Sequence, residues 1–178
     1  ILWYKVSHRQ GKILDYMKLS LDVELLPKTH AAGGEADIVY EYEKTAVYPA
    51  HSLLLEATLA DRTNQRRMEM EPVSRHLGNH ILRTKNFDSY CVFATNDLNI
   101  NVVSDFRGRK NQRYYDTADD NNFVDGMKII PLQMEDLKNI VENRIGYEKL
   151  YKIFEEAFQS ELAPREWRKV CIAIPLSK

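Results

Sequence analysis

The sequence predicts an α/β domain with a mixed central β-sheet flanked by α-helices, and three observations carry that expectation. Leu53-Leu54-Leu55-Glu56-Ala57-Thr58-Leu59 is a near-continuous apolar run, the pattern of a strand buried on both faces. Residues 61–82 place Met70, Val73, Leu77 and Ile81 at intervals of three and four, which is helical spacing. Segments of these two kinds alternate along the chain, as they do in domains where helices cover a sheet.

Taken in order, residues 12–26 have apolar side chains at Ile13, Leu14, Met17, Leu21 and Leu25, which predicts a helix ended by Pro27. Ala31-Ala32-Gly33-Gly34 is a turn. Residues 36–42 are rich in β-formers and predict a strand. The 53–59 strand follows, then the charged helix of 61–82, interrupted at Pro72 by a kink or a junction of two helices. Residues 89–95 (Ser-Tyr-Cys-Val-Phe-Ala-Thr) are a third buried strand. Residues 105–122 are polar and predict an exposed loop or helix start. A short strand at 127–131, two amphipathic helices around Leu137-Ile140-Val141 and Leu150–Phe158, and a last strand at 170–174 complete the chain. No repeat, linker or low-complexity tract breaks it, so one domain over 1–178 is expected.

Composition bounds the function. The chain is 44% hydrophobic and 29% charged, with 7 Gly and 6 Pro, which is globular rather than disordered. Its net charge is −1, from 25 Lys and Arg against 26 Asp and Glu. Proteins that hold DNA unaided are usually strongly basic, because neutralised phosphates supply most of the affinity. A chain of this charge needs a local basic patch or a second polypeptide to grip nucleic acid. Cys91 and Cys171 lie in separate apolar runs and read as reduced thiols. No apolar stretch approaches a membrane span and no signal peptide is visible, so a cytoplasmic (bacterial) protein with no membrane partner is expected.

One constellation carries chemistry. Asp37 opens a strand and Glu56 lies inside the next, with Thr58 two residues on and therefore on the same face as Glu56. Two carboxylates from adjacent strands suit a hard cation such as Mg²⁺, which takes oxygen ligands and keeps several waters. Such an ion lowers the pKa of water and offsets the charge of a phosphodiester. A glutamate inside an apolar strand is costly to bury without a partner or an ion; pairing with an arginine or a place at a sheet edge is the alternative. In the following helix Arg62, Gln65, Glu69, Pro72, His76 and His80 recur near one face, which would bring Gln65, Glu69 and His76 over the carboxylates. His8, His30 and His51 are isolated and read as structural or exposed.

Gly33-Gly34-Glu35-Ala36-Asp37-Ile38, Leu54-Leu55-Glu56-Ala57-Thr58-Leu59, Gln65 and Glu69-Met70-Glu71-Pro72-Val73-Ser74-Arg75-His76 together resemble the catalytic domain of type IIS restriction endonucleases of the PD-(D/E)xK superfamily. The resemblance is to the group related to the AlwI and MlyI enzymes and the nicking endonucleases that recognise GAGTC. It covers roughly residues 27–141, with Tyr90–Thr95 and Lys128-Ile129-Ile130-Pro131-Leu132 resembling that domain's later strands.

The resemblance implies a restriction-endonuclease-like core and Mg²⁺-dependent hydrolysis of double-stranded DNA, with Mn²⁺ able to substitute. Asp37 and Glu56 would ligate the metal, joined by Glu24 from the preceding helix in preference to Asp22 or Asp15. Glu69, His76 and Gln65 would be the remaining catalytic residues. Arg62, Arg75, Arg107, Arg109, Lys110 and Arg113 are the candidate DNA contacts; the last four also read as a solvated loop. Two departures stand out. Ala36 replaces the proline before the aspartate, and Thr58 occupies the superfamily's lysine position, leaving its work to His76 or Gln65. Family enzymes add a long DNA-recognition region that 178 residues do not hold, so the expectation is the small subunit of a heterodimeric endonuclease whose large subunit reads the sequence and nicks the other strand. An excised domain, a repair or junction-resolving nuclease, and a metal-free partner-binding module remain open.

Overall fold

The computed structural model describes residues 2–6, 12–24, 27–29, 34–58 and 62–178. Its centre is a four-stranded mixed sheet in the order β3-β4-β5-β8. Strand β3 (Ile38–Tyr42) runs antiparallel to β4 (His51–Thr58), and β4, β5 (Tyr90–Thr95) and β8 (Lys128–Gln133) are mutually parallel. All six β5 residues are buried, as a central strand covered on both faces requires. Pro131 sits in β8, where the strand borders only one neighbour and a missing N–H is tolerated.

Alternation along the strands divides the core in two. Leu53, Tyr90, Val92, Ile130 and Leu132 face one layer with Trp3, Leu150, Phe154, Trp167 and Ile172. Leu54, Cys91, Phe93 and Ile129 face the other, with Val73, Leu77, Ile81, Val102 and Phe106. The first layer is built by α1 (Leu2–Val6), α4 (Met134–Glu142), α5 (Tyr147–Gln159) and the C-terminal helices. The second is built by α2 (Arg62–Thr84) and α3 (Ile100–Gly108). His51 is structural, as expected of it: Nδ1 donates to the Pro49 carbonyl (2.7 Å) and Nε2 accepts from the Tyr147 hydroxyl (2.6 Å). Burial holds its pKa below the usual histidine value. Both cysteines are free thiols, Cys91 buried and Cys171 half-buried. His8 and His30 lie outside the described residues.

Four elements differ from the sequence reading. Residues 12–24, the described part of the predicted 12–26 helix, do not form one. Ile13–Tyr16 makes a single 3₁₀ turn, Met17 bridges Ile38 at the sheet edge, and Ser20–Leu21 (β1) pairs with Pro27–Thr29 (β2). The helical spacing marked no buried stripe: Leu14 is 49% and Val23 100% exposed, while backbone pairing beside β3 satisfies the edge. Pro72 does not interrupt α2, which runs unbroken for 23 residues. Apolar contacts by Val73, Leu77 and Ile81 and polar contacts by Glu69 and His76 hold it to the sheet on both sides of the proline.

Residues 105–122 are not one exposed loop but the end of α3, a 3₁₀ turn at Arg109–Asn111, and a hairpin of β6 (Arg113–Tyr115) and β7 (Phe123–Asp125). The hairpin seats Tyr114 in the notch at Gly78, where an added Cβ would lie 2.3 Å from the ring. The 170–174 strand is instead helical. α6 (Pro164–Trp167) continues through a π-helical stretch, Arg168–Ala173, into α7 (Ile174–Leu176). Buried Trp167, Ile172 and Leu176 recur every four or five residues, and that spacing overrides the β-branched composition.

Asp136 ties this C-terminal segment to the sheet. It accepts from the Gln133 amide (2.6 Å) at the start of α4 and pairs with Arg168, and both side chains are nearly sealed from solvent. Asp136→Ala leaves the guanidinium buried without its counter-ion. The variant is expected to lose about 3 kcal/mol in urea denaturation, whereas Lys138→Ala, whose ion pair with Glu135 is exposed, changes stability by under about 0.5 kcal/mol.

Candidate active site

The site forms where β3 and β4 meet the N-terminal half of α2. In the β3–β4 ladder Ile38 opposes Leu55 and Val39 opposes Leu54, so the register continued by one residue sets Asp37 opposite Glu56. Opposed residues of antiparallel strands point to the same face. Ile38 and Leu55 pack toward α5, Val39 and Leu54 toward α2. Asp37 and Glu56 therefore both face α2. Asp37 is fixed at both ends: its carbonyl accepts from the Lys18 amide (2.9 Å) and its Oδ2 from the Ala57 amide (3.3 Å).

Helix α2 delivers the remaining groups. His76 Nδ1 donates to Glu56 Oε1 at 2.6 Å. Seven residues earlier, two helical turns toward the open end of β4, Glu69 Oε1 accepts from the Thr58 hydroxyl at 2.7 Å. The strand repeat of two (Glu56, Thr58) thus meets the helix repeat (Glu69, His76) in two parallel bonds. Glu56 is only 8% exposed. Burial pushes its carboxyl above the usual range and the neighbouring Asp37 charge adds to this, while the His76 hydrogen bond opposes both. A cleft of about 290 Å³ opens beside the pair, its lining including Lys18, Glu41, His76, His80 and Arg83. His80 is buried with no partner for Nε2 among the described residues, and burial lowers its pKa.

Of the residues proposed from sequence, Asp37, Glu56, Glu69 and His76 come together, with Thr58 beside them. Gln65 and Arg62 lie on the same helix, but their side chains fall outside the described residues. Glu24 does not sit on a helix; it occupies an exposed turn closed by its amide donating to Asp22 Oδ1. Among the described residues no trio of His, Cys, Asp or Glu is placed to hold an ion. Asp37 and Glu56 are thus a two-carboxylate set, whose hard oxygen donors and missing further ligands fit Mg²⁺ with its water shell.

The basic candidates separate. Arg107 is 8% exposed, donates to the Ser160 carbonyl and lies over the Trp167 ring. Lys110 donates to the carbonyls of Phe158 and Ser160 and pairs with Glu161. Both fasten α3 to α5 rather than face solvent. Arg109 is held by Asp105. Arg113 stays exposed beside Asp125, and Arg75 is half-buried beside Glu71.

Comparison with known families decides what this arrangement is: residues 1–140 match the sequence model described as AlwI restriction endonuclease. The chain belongs to the AlwI restriction endonuclease family. Its fold is shared with a solved restriction-enzyme subunit. The crystal structure of the small subunit (R.BspD6I2) of the heterodimeric restriction endonuclease R.BspD6I superposes with a TM-score of 0.66, at 21% identity, covering 94% of this chain and 84% of that one. Comparison with curated protein sequences gives no match. Family membership gives the Asp37–Glu56 pair its context, that of a nuclease.

Two outcomes are expected. Because folding raises the Glu56 pKa, the buried carboxylate opposes folding once pH exceeds the unfolded value. Glu56→Gln therefore raises the thermal midpoint of the metal-free protein at pH 8, and the gain fades as pH falls toward 4.5. Arg107→Ala is expected to cost about 2 kcal/mol of stability by removing one of the two donors to the Ser160 carbonyl and uncovering the buried Trp167 face.

Proposed function

We propose that this chain is a Mg²⁺-dependent DNA endonuclease subunit that hydrolyses a phosphodiester of one strand near a site recognised by a larger partner subunit. The observation that carries this reading is the Asp37–Glu56 pair on neighbouring strands, clamped from above by His76 and Glu69. Its support is the family to which the chain belongs and the fold it shares with a small subunit of a heterodimeric restriction enzyme. The near-neutral charge, with Arg107 and Lys110 spent on internal contacts, supports a partner that supplies most of the grip on DNA.

In this reading Asp37 and Glu56 hold Mg²⁺, with Mn²⁺ able to replace it. The ion lowers the pKa of water and offsets phosphate charge. His76 fixes the Glu56 carboxylate in the rotamer that faces Asp37, and its hydrogen bond favours the ionised form despite burial. Glu69, steadied by Thr58, accepts the proton of the attacking water as the P–O3′ bond breaks. Arg75 and Arg113 contact backbone phosphates, which fixes register without reading sequence; Arg62 of α2 is assigned to the same DNA contacts and Gln65 of α2 to the catalytic group. The whole of residues 1–178 serves as a single cleavage domain in the bacterial cytoplasm. Among the described residues no helix is long and apolar enough to cross a membrane.

Calorimetric titration with Mg²⁺ or Ca²⁺ should show binding to the wild type and none to Glu56→Ala. Identical titrations of the two proteins would remove the nuclease reading. Mixed with a large subunit that nicks on its own, the chain is expected to convert nicked product to double-strand breaks at a fixed offset. Efficient site-specific double-strand cleavage by the chain alone would refute the subunit role.

A further inference from the structure

The site as described gathers carboxylates to act on a polyanion. Asp37, Glu56 and Glu69 surround the reaction centre, and Asp15, Glu35 and Glu41 line the adjoining cleft. A phosphodiester approaching them, and still more its transition state, needs positive charge beyond one divalent ion. Thr58 cannot supply it, since it is neutral and its hydroxyl is given to Glu69. His76 is committed through Nδ1 to Glu56. Arg83, the other cation of the cleft lining, pairs with Glu35 at 3.1 Å.

The backbone brings a further cation to the same face. Met17 bridges Ile38 in antiparallel register, and the Lys18 amide donates to the Asp37 carbonyl at 2.9 Å. Lys18 is therefore opposite Asp37, just as Asp37 is opposite Glu56. Met17, opposite Ile38, takes the α5 side, so Lys18 takes the α2 side with the two carboxylates. Three residues, Lys18, Asp37 and Glu56, thus form one row across three adjacent strands. At about 4.8 Å per strand, the Lys18 backbone lies about 5 Å from Asp37 and about 10 Å from Glu56, so its four-carbon stem reaches across Asp37 but not as far as Glu56. Lys18 is exposed, lines the cleft and has no ion pair among the described residues.

We propose that Lys18 contacts the scissile phosphate and supplies the positive charge that Thr58 does not. The assignment rests on the nuclease reading above and adds a residue from an edge segment outside the β4 motif. The extended backbone at Met17 and Lys18, not a helix, puts it there. A cation in this position contacts phosphate without competing for the metal.

The test measures two bindings by the whole chain: Ca²⁺ by calorimetry, and a short fluorescein-labelled duplex by anisotropy in saturating Ca²⁺. Lys18→Met is expected to bind the duplex about ten-fold more weakly, with the salt slope reduced by about one, while binding Ca²⁺ as tightly as wild type or tighter. Lys18→Arg should recover most of the duplex affinity. If Lys18→Met binds duplex like wild type while Glu56→Ala loses Ca²⁺, the Lys18 assignment is wrong and the nuclease reading stands. Failure of Lys18→Arg to recover affinity, with an unchanged circular dichroism spectrum, also overturns it. If wild type and Glu56→Ala bind Ca²⁺ alike, both readings fall together.

Discussion

Much of this structure is arranged around one carboxylate, that of Glu56, which is buried on an otherwise apolar strand and faces a second carboxylate across the ladder. Left alone, such a group would take up a proton or leave the core. Three constraints keep it where it is. The β3–β4 register fixes Asp37 opposite it, α2 crosses the sheet at a height that lets His76 reach it, and the apolar stripe of Val73, Leu77 and Ile81 anchors that helix. Each is an ordinary packing feature, and together they hold two carboxylates side by side on one face of the sheet.

The same economy explains the chain's modest charge. Cations that in a free-standing DNA-binding protein would line a groove are here drawn inward. Arg107 and Lys110 terminate α5 carbonyls, and Arg168 pairs with Asp136 beneath the C-terminal helices. These contacts join the helical layers around the sheet, so the nuclease core gains rigidity from residues that contribute little long-range attraction for a polyanion.

The legible part of the fold was the part with strong periodicity. Continuous apolar runs announced β4, β5 and β8, and the three-four spacing announced α2, α4 and α5. Combining a strand repeat with a helix repeat brought Glu69 and His76 over the strand, while the bonds of His76 to Glu56 and of Thr58 to Glu69 became visible only in the structure. What stayed hidden was decided by contacts distant in sequence. Residues 12–26 have helical spacing, but Met17 and Lys18 are claimed by the edge beside β3 and Ser20–Leu21 by β2, so Glu24 ends in a turn and Lys18 beside Asp37. The C-terminal segment reads as a strand until Trp167, Ile172 and Leu176 find their pockets. Basic residues look alike in sequence whether they face solvent or a carbonyl; among the candidates, Arg113 is exposed and Arg75 half-buried, each beside an acidic neighbour.

The two borders of the sheet share a property that bears on assembly. Met17 covers part of the β3 border, and Pro131 removes a donor from the β8 border. Neither margin offers an uninterrupted ladder of amides and carbonyls to an incoming chain. Oligomerisation by strand addition, the route that builds continuous intermolecular sheets and, when uncontrolled, fibrils, is thereby disfavoured. Any association of this fold through its sheet margins would instead have to rest on side-chain packing against helices and loops, a mode that is selective for shape.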